Sequence, residues 1–157
     1  MLPRPQRCEG CPRNSPKLSV GFVPGHGPAD ARLLILGEQP GRNEILQGKP
    51  FVGASGKEVG AGLAGTPAYL TNVRKCLGVI ENEPRTLRES SIEFCTNAYL
   101  KEEIHGLPAI VTMLLVGGDA LKAAVGVGDP VKHHGSVWTA GEAAAIAIST
   151  AFNEEDE

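Results

Sequence analysis

GEQPGRNEILQGKPFVGASG, residues Gly37 to Gly56, is the stretch whose reading decides the fold. It follows the apolar run Leu33-Leu34-Ile35-Leu36 and leads into Lys57 to Leu63, a segment able to form a short helix. Strand, glycine-rich loop, helix is the repeating unit of a parallel α/β sheet, where ligands gather at the carboxyl ends of the strands. The loop glycines let the backbone turn and come close to a bound group. Pro40 and Pro50 stiffen it by fixing φ. Glu38 and Gln39 stand at its lip, and Glu44 follows three residues after Gly41. Phe51, held among prolines and glycines, is a platform on which a flat ligand could stack. A nucleotide-phosphate loop fits poorly: G-x-G-x-x-G is absent, and no Ser or Thr follows Lys57 in Gly53-Ala54-Ser55-Gly56-Lys57.

Working outward, Ala31 to Leu36 reads as a strand apolar enough for burial on both faces. Tyr69 to Val73 is a second strand, Ile110 to Val116 a third and Ala143 to Ser149 a fourth. Between them lie a helix from Thr86 to about Gly106, with Thr86 as cap and Glu89 closing a capping box, and a helix Ala120 to Val125 capped by Asp119. Residues 1–28, 77–84 and 129–138 read as irregular. The alternation predicts an α/β fold of three layers, a four-stranded parallel sheet flanked by helices. With 157 residues the chain is expected to be one domain, 1–157, with an N-terminal segment 1–28 and an acidic tail 153–157.

A net charge of −3 gives no whole-chain signature of nucleic-acid binding, but the charge is uneven. Arg4, Arg7, Arg13 and Lys17 face Glu9 alone near the start, and Glu154-Glu155-Asp156-Glu157 close the chain. Without that tail the body is close to neutral, and local basic patches can meet DNA. MLPRPQR has no apolar core for a signal peptide, and no apolar run reaches the ~18 residues of a membrane span. The expectation is a cytoplasmic, nucleoid-associated monomer without a membrane segment.

Four cysteines, Cys8, Cys11, Cys76 and Cys95, have the spacing of a metal or cluster site: one C-x-x-C pair and two distant thiols. Zinc ribbons generally carry a second close pair. A four-thiolate iron–sulfur cluster needs only that four sulfurs converge. Spacing leaves iron–sulfur, zinc and free thiols open, with Cys95 also readable as a small buried hydrophobe.

The stretch Gly37–Gly56 resembles motif A of the family 4 uracil-DNA glycosylases, G-E-[AGQ]-P-G-x-x-E-D-x-x-G-x-P-F-V-G-x-[AS]-G, departing only at Ile45. Tyr69-Leu70-Thr71-Asn72-Val73-Arg74-Lys75-Cys76 is similar to the family's Asn-bearing strand. The segment Glu83 to Leu100 and the turn Val116-Gly117-Gly118-Asp119-Ala120-Leu121 are similar to later family segments. The resemblance implies a 4Fe–4S cluster, structural rather than redox, on Cys8, Cys11, Cys76 and Cys95. It implies uracil-containing DNA as partner, with the base flipped into a pocket, and base-excision repair by hydrolysis of the N-glycosidic bond. Phe51 would stack on the base and Asn72 would read its edge. Glu44 would stand near C5, where thymine carries its methyl. Gly37, Glu38, Gln39 and Gly41 would line the sugar and the attacking water. Glu38, Gln39 and Glu44 are the candidate catalytic residues.

Two departures qualify that expectation. Gln39 stands where other uracil glycosylases place a water-activating Asp, and an amide orients water without accepting its proton. The family's H-P-S motif, whose His bonds uracil O2, has no counterpart after the fourth strand. His133 and His134 precede that strand and read as surface groups. Reduced activity is therefore expected, or a protein of the same fold that binds uracil or single-stranded DNA with impaired catalysis.

Overall fold

The computed structural model describes residues 1–126 and 132, and the backbone of 137–140 and 143–148. The apolar run before the loop forms β2 (Leu33–Gly37), preceded by the short β1 (Ser19–Val20). Next come α1 (Arg42–Gln47), α2 (Ala54–Leu63), β3 (Tyr69–Asn72) and β4 (Leu77–Gly78). One long helical rod follows: α3 (Arg85–Cys95), a π-helical stretch at Thr96–Leu100, and α4 (Lys101–His105). Last are β5 (Thr112–Val116), α5 (Gly118–Val125), β6 (Val137–Ala140) and β7 (Ala143–Ile148).

The main sheet runs β3-β2-β5-β7-β6. Within it β3, β2, β5 and β7 are parallel, and β6 pairs antiparallel along the outer side of β7. The fold is thus α/β, but among the described residues the sheet is mixed and has five strands rather than four parallel ones. β1 and β4 form a separate antiparallel pair, Ser19 opposite Gly78 and Val20 opposite Leu77. Both were read as irregular because a two-residue strand carries no periodicity. Part of the segment read as a loop before the fourth strand is β6.

Three other expectations are corrected. The stretch 37–56 is not one loop, since α1 sits inside it between Gly41 at its N-terminus and Gly48, which ends it in the left-handed region at φ 71°. Thr86 is not a cap: α3 starts at Arg85 after Pro84, with no side-chain cap, and Glu89 accepts from Arg85 and Lys122 instead. Asp119 is not a cap either. It lies inside the first turn of α5, and its carboxylate takes two arginines.

One face of the sheet is closed by the helical rod and α5. Leu36, Val73, Leu100, Leu115, Ala120 and Leu121 form a buried cluster, with Ile92, Ile104 and Met113 packed on it. Leu115 is fully buried at the centre. Leu115→Ala is expected to cost about 2–5 kcal/mol, measured as a lowered urea midpoint with unchanged denaturant slope.

Candidate functional site

Register places the site. Gly37 and Asn72 are partners at the carboxyl ends of β2 and β3. The pairing continues beyond the strands: Val73 N–H donates to Gly37 O at 2.9 Å and Arg74 N–H to Glu38 O at 3.0 Å. Asn72 is 5% exposed. A Cβ at Gly37 would lie 2.8 Å from Cζ of Phe51, and closer still to Oδ1 of Asn72. The glycine is therefore what lets the Phe51 ring and the Asn72 amide meet over the end of the sheet. Phe51 itself sits at φ 56°, in the left-handed region that a bulky side chain avoids. Gly56 permits this, because a Cβ there would overlap the Phe51 backbone. Strain of this kind costs about 1–3 kcal/mol and gathers at functional sites.

Glu44 is a loop anchor. It is 9% exposed, and its Oε1 accepts from the amides of Gly53 at 2.9 Å and Val52 at 3.2 Å. That excludes a solvated surface acid. It holds the chain on the far side of Phe51, and Gly41 gives its carboxylate room. Glu38 turns the other way, its Oε1 accepting from Asp119 N–H at 3.2 Å at the start of α5. Gly117, at φ 98°, makes space for it, since a Cβ there would come within 2.7 Å of Glu38 Cγ. Burial, then the neighbouring Asp119 carboxylate, push the Glu38 pKa up. Gln39 Oε1 accepts from Arg13 Nη2 at 2.7 Å and from Gly78 N–H at 3.3 Å. Both partners are donors, so the oxygen faces them and the amide NH2 is turned elsewhere.

Behind this rim lies a set of charges, largely buried apart from the half-exposed Arg88, that the sequence reading did not single out. Arg74 donates to Glu83 at 2.9 and 3.1 Å and to Asp119 at 3.3 Å. Arg88 donates twice to Asp119, at 2.9 and 2.7 Å. Lys75, 1% exposed, donates to Thr71 Oγ1 and to Asn72 O, both at 2.6 Å, and pairs with Glu103 at 2.5 Å. The Asn72 backbone is thus held from beneath by a buried ammonium. The available signal was three polar or charged residues, Asn72, Arg74 and Lys75, at the end of an apolar strand.

Cys8, Cys11, Cys76 and Cys95 are brought together, lining one cavity of about 20 Å³ with Arg13 and Lys75 in its wall. None of the four forms a disulfide. No group of three or more His, Cys, Asp or Glu among the described residues is arranged to hold a metal ion. Burial pushes the Cys95 thiol up to about 12 and raises Cys11 as well. His133 and His134, and the segment after the fourth strand, lie outside the described residues. No helix among the described residues is long and apolar enough to cross a membrane.

The family model of the uracil DNA glycosylase superfamily matches residues 24–151. The chain belongs to this superfamily. It is 35% identical over 104 residues to a type-4 uracil-DNA glycosylase of Archaeoglobus fulgidus, covering 62% of the chain and 50% of the relative. Proteins of the same description from Saccharolobus solfataricus and Pyrobaculum aerophilum are 33% and 31% identical over 116 and 128 residues. Those matches cover 69% and 77% of this chain, and 51% and 62% of the relatives. The chain spans about half the length of the first two of these relatives and about three-fifths of the third.

Two outcomes test the geometry without any ligand. Glu44→Ala is expected to cost about 1–3 kcal/mol by leaving two amides without their acceptor, read as faster hydrogen exchange at Val52 and Gly53. Glu38 carries a raised pKa, so its ionisation works against folding, increasingly as pH rises above the ordinary glutamate range. Glu38→Gln keeps an acceptor for the Asp119 amide, and should raise the melting temperature at pH 7 but not at pH 4.

Proposed function

We propose that this protein is a uracil-DNA glycosylase that hydrolyses the N-glycosidic bond of uracil flipped out of DNA. The observation that carries the reading is the meeting of the Phe51 ring and the Asn72 amide over Gly37, at the carboxyl end of the sheet. The family match supports it, as do the names of the relatives. A strained aromatic beside a buried amide is suited to a flat base with alternating donors and acceptors. The Phe51 ring stacks on uracil, and the Asn72 amide donates to one ring position while accepting from the next. Glu44 fixes the Val52–Gly53 turn that carries Phe51, near the side where thymine's methyl would fall. Gly37 to Gly41 line the sugar.

In the reaction the C1′–N1 bond breaks, its electron pair leaves with the uracil anion, and water adds to C1′, giving up one proton to the solvent. The chain's part is to hold the nucleotide still and to place donors where charge develops, usually the largest contribution. Gln39 can orient the water but cannot take its proton. Its oxygen is already engaged by Arg13 and Gly78. That engagement favours a second reading, a protein that recognises uracil in single-stranded DNA with little chemistry.

Cys8, Cys11, Cys76 and Cys95 would hold a 4Fe–4S cluster with a structural role, joining the N-terminal segment to the sheet. The donor chemistry fits: four cysteines line one cavity, and the buried Arg13 in its wall leaves Nη1 without a hydrogen-bond partner among the described residues. The reading also implies the family's layered arrangement, a cytoplasmic monomer and one domain over 1–157.

The test is uracil release from a single-stranded uracil oligonucleotide, scored as alkali-sensitive cleavage. Cleavage is expected, falling about 10²-fold or more in Phe51→Ala, Asn72→Asp and Gly37→Ala. Unchanged release in Asn72→Asp would refute its role. Absent cleavage with tighter binding to the uracil strand than to its thymine twin would establish the second reading.

A further inference from the structure

Arg13 follows Cys11 by two residues and is 1% exposed, among the most deeply buried side chains of the protein. A buried guanidinium is costly unless its donors and charge are met. Here they are met on one side only. Nη2 donates to Gln39 Oε1 at 2.7 Å. Nε stands 3.3 Å from Glu83 Oε1, at ion-pair distance but outside hydrogen-bond geometry, and Nη1 has no hydrogen-bond partner among the described residues. The same side chain lines the four-cysteine cavity. Its backbone is held on both sides, N–H toward Cys11 Sγ at 3.4 Å and O by the Ser19 hydroxyl at 2.7 Å. Gly78 opposite is a glycine for cause: a Cβ there would overlap Arg13 Nη2.

We infer that Arg13 is a positioning residue that couples the filling of the four-cysteine cavity to the orientation of Gln39, and through it to recognition of uracil. This rests on the reading of the cysteines as cluster ligands. Four thiolates around a cluster form a net anion, the partner that the unmet N–H groups of Arg13 lack. An anion in the cavity fixes the guanidinium. The guanidinium then fixes the oxygen of Gln39, and the amide NH2 of Gln39 is left to face the substrate. Without that anion Arg13 keeps only Gln39 and Glu83, and Gln39 keeps its contact with the Gly78 amide, so the pair is held less firmly. Coupling between two sites is reciprocal in affinity, and a segment that opens more often gives up what it holds sooner, so loosening Gln39 should also speed the loss of what the cysteines hold.

The experiment uses full-length protein as purified, assayed for iron and acid-labile sulfide, as wild type, Arg13→Met, Gln39→Ala and the double variant. The first readout needs no DNA: the rate at which an iron chelator bleaches the visible absorbance. Gln39→Ala is expected to bleach about five-fold faster or more than wild type, and to add nothing once Arg13 is Met. The second readout is the ratio of affinities for a uracil oligonucleotide and its thymine twin. Arg13→Met should lose about five-fold or more of that preference, and almost none in the Gln39→Ala background. If Arg13→Met fails to fold, bleaching of Gln39→Ala alone decides, and a rate equal to wild type overturns the coupling. Wild type without iron or sulfide overturns it together with the cysteine reading, while the affinity ratio still judges the uracil pocket. Wild type with a cluster but no preference for uracil refutes the pocket, and the link to recognition with it. The bleaching rates still decide whether Arg13 joins the cavity to Gln39.

Discussion

Asp119 is the constraint on which the upper end of this molecule depends. A carboxylate only 5% exposed must be compensated, and here two arginines do it. Arg88 comes from α3 and Arg74 from the end of β3, while Arg74 also reaches Glu83. The backbone amide of Asp119 holds Glu38. One residue therefore locks a helix start, a strand end and the loop after β2 into a single arrangement. Removing the Asp119 carboxylate would leave the buried Arg74 with Glu83 alone. The apolar cluster beneath holds the layers together, but it does not specify these angles. The buried charges do.

Much of this was legible in the chain. The apolar runs located the parallel strands to within a few residues, since burial on both faces leaves an unmistakable block of Leu, Ile and Val. The loop was legible because Gly41, Gly53 and Gly56 each answer a need within the loop itself, set by Glu44 or the Phe51 backbone. Phe51, Asn72 and the four cysteines were picked out by type and spacing, and the structure places the Phe51 ring and the Asn72 amide both against Gly37 and the four cysteines around one cavity.

What escaped depends on partners far apart in sequence. Arg13 meets Gln39 across 26 residues, and Arg74 meets Asp119 across 45. A lone charged residue in a sequence reads as solvated surface, because most are. Lys75 looked like the polar end of a strand, yet it is clamped by Thr71, Asn72 and Glu103. The caps failed for a related reason. Thr86 and Asp119 had the right residue types at helix starts, but Pro84 and the two arginines made better use of the space.

The π-helical stretch at Thr96–Leu100 divides the long rod between two duties. Ahead of it, Arg88 and Ser91 serve the charges at the sheet end. Within and beyond it, Tyr99 contacts the Cys8 sulfur at 3.1 Å and Glu103 takes Lys75. A wide turn holds one residue more than the α-helix needs, and each residue is about 100° of rotation. The insert thus acts as a phase shifter: it lets one continuous rod show differently timed faces to two neighbours. A single deletion in the wide turn would therefore turn Glu103 about 100° away from Lys75 while leaving Arg88, Phe94 and Cys95 in register.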